Sequence, residues 1–442
     1  MKTTINIISF LVLFITLLMV AIITILGSIN KSSKEIDRRS KSISNLDVKE
    51  KVITLSRSLG VIDTPLLCTN TVNNGALSEF SNGLVDYNSN SIFIVGNDYP
   101  SVGDRPNPNI YLFKFTPPDT FVNYVTIDDF YSYTQQGNLY VEQDANYIYV
   151  LGRKITRTFG ESYLMLSKIR KSDLKFDSSF KSFLNEEGKW FSRIYNLVPG
   201  GLLLDGDYIY AVGIKDYSGE IYIYKLKTID SSSVEGFGEY GLARIDPDGN
   251  SKTKEVVTDI LSDGNDLILV GEQRSSSKTS LMLFKVNPGS GELVPGSLIT
   301  IEPLKGSFSA APLDAVILND KVYLGGSFQL SRKSVLAVFD LNDPKNKTYY
   351  TFKDKNNNDI KIEIRDVYYP GSGSIIYLSG KDKDNNAGCI VFDTLDNSGS
   401  YLIINPTPGN WWGNVFYNNN LYIFGVLNKA PSYFFVLPIK NP

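Results

Sequence analysis

The sequence predicts an all-β protein assembled from small repeated sheets, on three observations. Seven times along the chain a polar tight turn precedes four or five apolar residues and a glycine, and a polar loop then leads to a second apolar run. The marker glycines are Gly96, Gly152, Gly213, Gly271, Gly326, Gly380 and Gly425, at intervals of 56, 61, 58, 55, 54 and 45 residues. Second, runs such as IFIV (92–95), YIYV (147–150) and LILV (267–270) are nearly continuous in hydrophobicity, as strands covered on both faces require. Third, the turn in the first hairpin of most copies is Asp-Gly, Asn-Asp, Gly-Ser-Gly or Asn-Asn, residues that tolerate the positive φ of tight hairpins. A supersecondary unit of three or four strands recurring at this period is a propeller blade, so the expected fold is a seven-bladed β-propeller of four-stranded blades.

The chain opens differently. Ile5 to Leu26 is 22 residues without a charge, about 33 Å long as a helix and long enough to span a bilayer. Only Gly27-Ser28 resembles a cleavage site, so residues 1–29 are read as an uncleaved anchor helix in the membrane through residues 5–26. Residues 30–48, Ser-rich and charged without clear period, form a juxtamembrane stalk, and the propeller occupies 49–442. Lys31, Lys34, Arg38, Arg39 and Lys41 follow the apolar run, which by the positive-inside rule alone would keep the propeller in the cytoplasm. A long domain behind an apolar segment at the very start of a chain is nevertheless exported in many proteins, and an extracytoplasmic propeller on a single-pass anchor in the cell membrane is the expectation.

Each blade is then read in turn. Inner hairpins and third strands are LVDYNSNSIFIVG with NIYLFKF, LYVEQDANYIYVLG with SYLMLSKI, GLLLDGDYIYAVG with IYIYKL, DILSDGNDLILVG with SLMLFKV, DAVILNDKVYLGG with SVLAVFDL, DVYYPGSGSIIYLSG with GCIVFDTL, and NVFYNNNLYIFG with SYFFVL. The glycine is taken to end the second strand. Outer strands are expected at FVNYVTI, WFSRIYNL, YGLARID, SLITIEPL, KTYYTFK and SYLIIN, leaving the last blade without one of its own. Val52 to Ser56, or Pro65 to Cys68, is expected to pair with Tyr433 to Leu437 and close the ring, which also removes an exposed edge.

The segment GFGEYGLARIDPDG (236–249), leading into ILSDGNDLILVG (260–271), resembles the delta-sixty type of propeller repeat, well over the third to fifth copies and loosely elsewhere. That resemblance implies a propeller and no activity. The wealth of Asn, Ser, Thr and Tyr is similar to that of archaeal surface proteins.

Composition narrows the function. Net charge is −3, which recruits no nucleic acid, and histidine is absent, which removes His triads and His-metal centres. Neither a metal nor a cofactor is expected. Counting back from the marker glycines places Asp259, Asp314 and Asp366 at matching starts of the inner strand, where they could face the channel mouth and bind a cation or a sugar, or simply accept backbone hydrogen bonds. Trp411 and Trp412 begin the inner strand of the last blade and could stack on a sugar ring or pack between blades. Cys68 and Cys389 are either two buried thiols or one disulfide. Asn30 and Asn346 lie in N-glycosylation sequons, meaningful only on an exported domain. The function expected is a membrane-anchored, non-enzymatic module that binds or scaffolds protein or glycan partners. The alternatives are an accessory subunit of a membrane or surface assembly or filament, and a carboxylate-dependent glycan-active enzyme.

Overall fold

The computed structural model describes residues 49–440 apart from 58–65, 69–75, 100–108, 117–119, 130–138, 156–160, 182–185, 216–217, 251, 305, 309–313, 344, 405–408, 418–419 and 428–433. The expected anchor, the stalk and the Asn30 sequon lie outside the described residues. Among the described residues no helix is long and apolar enough to cross a membrane.

Three short strands come first: β1 (Lys49–Thr54), β2 (Ser56–Arg57) and β3 (Leu66–Cys68). The first blade follows with β4 (Ala76–Asp86), β5 (Ser91–Tyr99), β6 (Asn109–Thr116) and β7 (Thr120–Asp129), and the second with β8 (Tyr140–Gln143), β9 (Tyr147–Ile155), β10 (Ser162–Arg170) and β11 (Lys189–Tyr195). The third holds β12 (Leu197–Asp205), β13 (Tyr208–Lys215), β14 (Ile221–Lys227) and β15 (Leu242–Ile245), and the fourth β16 (Lys254–Ser262), β17 (Leu267–Arg274), β18 (Thr279–Val286) and β19 (Ile299–Ile301). The fifth holds β20 (Ala315–Leu318), β21 (Lys321–Ser327), β22 (Ser334–Asp340) and β23 (Lys347–Lys353), and the sixth β24 (Ile362–Tyr368), β25 (Ile375–Asp382), β26 (Ala387–Asp393) and β27 (Ser398–Ile404). The chain ends with β28 (Gly409–Tyr417), β29 (Asn420–Leu427) and β30 (Phe434–Lys440).

Hydrogen bonding sorts these strands into seven sheets, six of them built from four strands consecutive in sequence and one a composite of β28, β29, β30 and β3. The innermost strands β4, β8, β12, β16, β20, β24 and β28 touch in that order, and β28 touches β4. This is a β-propeller of four-stranded blades.

The continuous apolar runs have the cause expected of them. Ile92 and Ile94 of β5 enter the core shared with Val415 and Tyr422 of the composite sheet, whereas Phe93 and Val95 enter the core shared with the second blade. In β17, Leu267 and Leu269 face the third blade and Ile268 and Val270 the fifth. Successive side chains of a strand point to opposite faces, so a strand sandwiched between neighbours must be apolar at every position. Each fully buried Leu, Ile or Phe contributes about 1.5–3 kcal/mol over its exposed state.

Two expectations need correction. The marker glycines lie inside their second strands: Gly271 pairs with Val257 and Gly380 with Ile364, and the strands run on past them. The reason is a β-bulge opposite, where the register shifts between Val257 and Asp259 and between Ile364 and Asp366. A Cβ at Gly271 would fall on the Val256 carbonyl oxygen, and one at Gly380 on that of Glu363, so only glycine permits this approach.

Ring closure is the second correction. Leu66, Leu67 and Cys68 pair with Val436, Phe435 and Phe434, which realises the second of the two expected segments. Residues 52–56 go elsewhere. Strand β1 adds to the outer edge of β23, parallel, from Lys49 opposite Thr348 to Thr54 opposite Lys353, and β2 adds to β27. Leu55 between them is fully buried in the core of the fifth and sixth blades. That burial, beside two available edges, holds the segment away from β30.

Replacing Gly271 or Gly380 by Ala is expected to lower stability by about 1–3 kcal/mol through overpacking against backbone. A shift of the urea unfolding midpoint measures it, and a midpoint equal to wild type would refute the bulge account.

Candidate functional site

The bulges decide where the three aspartates point. In each case the Asp is the first residue paired after the register shift, or stands at the matching place before β20, and its carboxylate reaches into the next blade. Asp259 Oδ2 accepts from the amide of Ala315 at 3.3 Å, and Asp314 Oδ2 accepts from that of Val367 at 2.8 Å. Asp366 Oδ2 accepts from the amide of Asn414, whose Nδ2 donates to Ser379 Oγ at 2.7 Å. The structure therefore brings Asp259, Asp314 and Asp366 together as one lateral row along the inner strands of the fourth to sixth blades, ending on β28. Asp259 is buried, and Asp314 and Asp366 are half-buried.

Electrostatics inside the row are uneven. Burial, reinforced by the charge of Asp314, holds the carboxyls of Asp259 and Asp366 well above the usual range. Burial also raises Asp314, but hydrogen bonds from Asp366, the Val367 amide and Asp259 oppose it. Like charges this close do not all ionise together, so the three carboxyls titrate as one coupled row, with Asp259 and Asp366 raised furthest. The other blades carry Asn82, Tyr140, Gly201 and Gly413 at the corresponding register position. Tyr140, of the second blade, sends its hydroxyl to the Thr258 carbonyl of the fourth at 2.9 Å.

The remaining sequence-predicted residues scatter. Trp411 and Trp412 lie at the bulge of β28, with side chains outside the described ones. Cys389, in β26, is a free buried thiol pushed up to about 12 by burial and then by Asp366; the Cys68 side chain is outside the described ones. Asn346 is exposed in the turn between β22 and β23 and donates to Asp340 Oδ2 at 3.1 Å.

A second row escaped the sequence reading. Lys114 Nζ donates to the Lys171 carbonyl at 3.2 Å, Lys168 Nζ to that of Thr228 at 2.9 Å, and Lys225 Nζ to that of Pro288 at 2.7 Å. Each lysine comes from the third strand of one blade and caps a turn of the next. Lys225 also lies over the Tyr208 ring at 4.3 Å, and burial holds its pKa below the ordinary value. The signal was present as the K of LFKF, LSKI and IYKL, recurring at one repeat position.

Two further features were also missed. A cavity of about 1060 Å³ lies at the outer edge of the third blade, between β11 and β15 and the turns of the third and fourth blades. Trp190, Phe191, Tyr222 and Tyr224 supply its aromatic lining, while Lys181, Arg193, Glu239 and Glu292 supply charge. Nearby, oxygens of Asp246, Asp248 and Glu255 lie within 4.8 Å of one another. Burial, with the charge of Asp248 behind it, pushes the Glu255 carboxyl up to about 7. Thr253 Oγ1 and Gln273 Nε2 donate to Asp248 Oδ2 at 2.6 and 2.9 Å, and Gln273 Nε2 to Glu255 Oε1 at 3.1 Å, so internal donors already serve this cluster.

No family model and no curated protein matches the chain. Among solved structures, it is similar to a chain of "Crystal Structure of Mitotic Checkpoint Complex", with a TM-score of 0.48 and 9% identity over 86% of this chain and 96% of that one.

The row of carboxyls makes a signed prediction. A carboxyl whose folded-state pKa is raised gives its full stability below the usual carboxylate range and loses it as pH rises through the folded value, by up to about 1.4 kcal/mol per pH unit per proton. Asp366→Asn, a copy of the protonated state, is expected to flatten that decline and to match or exceed wild type at pH 8. Asp314→Asn, which replaces one of the two acceptor oxygens at the centre of the row by a donor, is expected to destabilise across the range. Chemical denaturation at pH 5, 6.5 and 8 decides it; an Asp366→Asn curve parallel to wild type would be the contrary result.

Proposed function

We propose that this chain is a seven-bladed propeller on a single-pass membrane anchor, held outside the cytoplasm, that binds or scaffolds protein or glycan partners without catalysing a reaction. One observation carries the proposal: the acidic groups of the inner strands are occupied in joining blade to blade, and the 1060 Å³ cavity lies instead at the outer edge of the third blade. Carboxylates consumed in that way, in a chain without histidine, offer no acid and base poised on one substrate. A large rim groove with aromatic lining and charged flanks fits recognition. The apolar run at 5–26 supports the anchor, and the exposed Asn346 supports a surface open to a glycan.

Extraction of the native membrane in mild detergent, followed by affinity purification of the full chain, is expected to recover stoichiometric partners that high salt and harsher detergent release in steps. A chain that purifies alone under every condition would speak against the binding reading, and turnover of a glycan panel would replace it by an enzyme.

Topology has its own test. Protease added to intact cells is expected to cleave the propeller from its anchor, and the intact mass of the natural chain is expected to fall by one glycan in Asn346→Gln. A protected domain with an unmodified mass would place it in the cytoplasm.

A further inference from the structure

The outer edge of a blade in this protein is already a strand-binding surface. On the fifth blade β1 lies along β23 over six residue pairs, and on the sixth β2 lies along β27. Side chains fasten the added strand: Tyr349 Oη and Thr351 Oγ1 donate to Glu50 at 3.2 and 3.3 Å, and the Lys51 ammonium sits 5.5 Å from the centre of the Tyr350 ring. An extended segment needs only an unpaired edge and aromatic or hydroxyl groups behind it.

Blade three presents the same elements with the edge open. Strand β15 ends its sheet, and the large cavity runs along it. Backbone direction can be assigned by alternation along an antiparallel pair. Lys225 N donates to the Gly241 carbonyl at 2.9 Å, so the pairs Ile223–Ala243 and Ile221–Ile245 also bond across to β14, while the backbone groups of Leu242 and Arg244 point outward. Leu242 is already served, exchanging bonds with Glu239 at 2.9 and 3.1 Å. Arg244 is left as the outward-facing position of β15.

The surroundings select for polypeptide. Trp190 and Tyr224 meet edge to face at 4.9 Å in the cavity lining, a rigid apolar surface for one face of an incoming strand. Lys181 and Arg193, both exposed, stand on the side of the second blade, and Glu292 stands on that of the fourth. Side chains that alternate in and out along a strand match this division, with apolar groups inward and acidic groups toward Lys181 and Arg193.

We propose that this groove binds an extended peptide segment of a partner protein, taken up as an additional strand on the outer edge of β15 with its backbone bonded to Arg244. The inference rests on the binding-platform reading and gives it a partner class.

The test uses the full chain in detergent and a displayed library of random twelve-residue peptides. Enriched peptides are expected to alternate apolar and acidic residues. Arg244→Pro removes an outward N–H and the side chain with its ion pair to Glu220, the latter lost equally in Arg244→Ala, and an edge strand tolerates proline where no ladder bond is lost. It is expected to weaken the enriched peptide about tenfold or more, whereas Arg244→Ala, which keeps the backbone donor, is expected to stay within about threefold. Hydrogen exchange on wild type reads the same contact without relying on the variant's fold, and the Arg244 amide is expected to become protected at saturating peptide.

No enriched peptide, an enriched peptide indifferent to Arg244→Pro, or an Arg244 amide that exchanges unchanged would each overturn the proposal. So would a groove that takes a glycan and excludes the peptide. Natural partners that co-purify equally with wild type and Arg244→Pro would sink edge pairing alone, whereas a chain with no partners at all would sink the platform reading.

Discussion

The ring holds together because polar groups of one blade are satisfied by the backbone of the next. Apolar cores supply most of the stabilisation, but burial is non-directional and would accept many angles between two sheets. A hydrogen bond from a buried lysine or to a buried carboxyl is satisfied at one distance only, and leaving such a group unmade costs about 1–3 kcal/mol. The two rows divide the circle between them. Lys114, Lys168 and Lys225 join the first blade to the second, the second to the third and the third to the fourth. Asp259, Asp314 and Asp366 then join the fourth to the fifth, the fifth to the sixth and the sixth to the composite sheet. At the closing contact, from that sheet back to the first blade, the described residues form an apolar cluster, with Tyr87 stacked on Tyr417 at 5.7 Å.

This division gives the three aspartates near the inner strands a structural role between blades. Each of the three carboxyls already accepts a backbone amide of the next blade. The same bulge that aims each Asp sideways forces the glycine opposite, so glycine, bulge and carboxyl form one local device repeated in the fourth and sixth blades. At the rim of the third and fourth blades the outer strands are short, the turns before them are long, and the cavity opens.

Sequence reading succeeds where the physics is periodic. Inner hairpins, third strands and all six outer strands could be placed because a strand between two blades must be apolar throughout, a pattern that composition alone exposes. Asp259, Asp314 and Asp366 could be placed but not interpreted, since spacing fixes a register position and says nothing of which blade the side chain enters. Lys225 was visible in IYIYKL yet reads as an ordinary solvated charge; only the structure shows the Pro288 carbonyl 63 residues on beneath it. The groove was out of reach altogether, being assembled from Lys181 to Leu293 across the edges of three blades. Closure was half readable: an unpaired β30 demands a strand, but the choice between 52–56 and 66–68 turns on the burial of Leu55.

The path of the N-terminal arm gives the propeller two unequal arcs. Strands β1, β2 and β3 run in order along the fifth, sixth and composite sheets, adding to two edges and completing the third. A bare sheet edge invites pairing with any extended chain, and proteins cover, shorten or charge such edges. Here one arc is covered by the chain itself. Among the described residues, the sheets of the first four blades end at β7, β11, β15 and β19 with no further strand, and they are defended differently. Strand β19 is cut to three residues, and a bridge from Lys181 to Lys189 lies against β11. Strand β15 keeps four residues, an outward Arg244 and an aromatic cavity alongside. An edge that the fold leaves open beside its large cavity, while it covers or shortens others, is where an incoming strand meets the least competition.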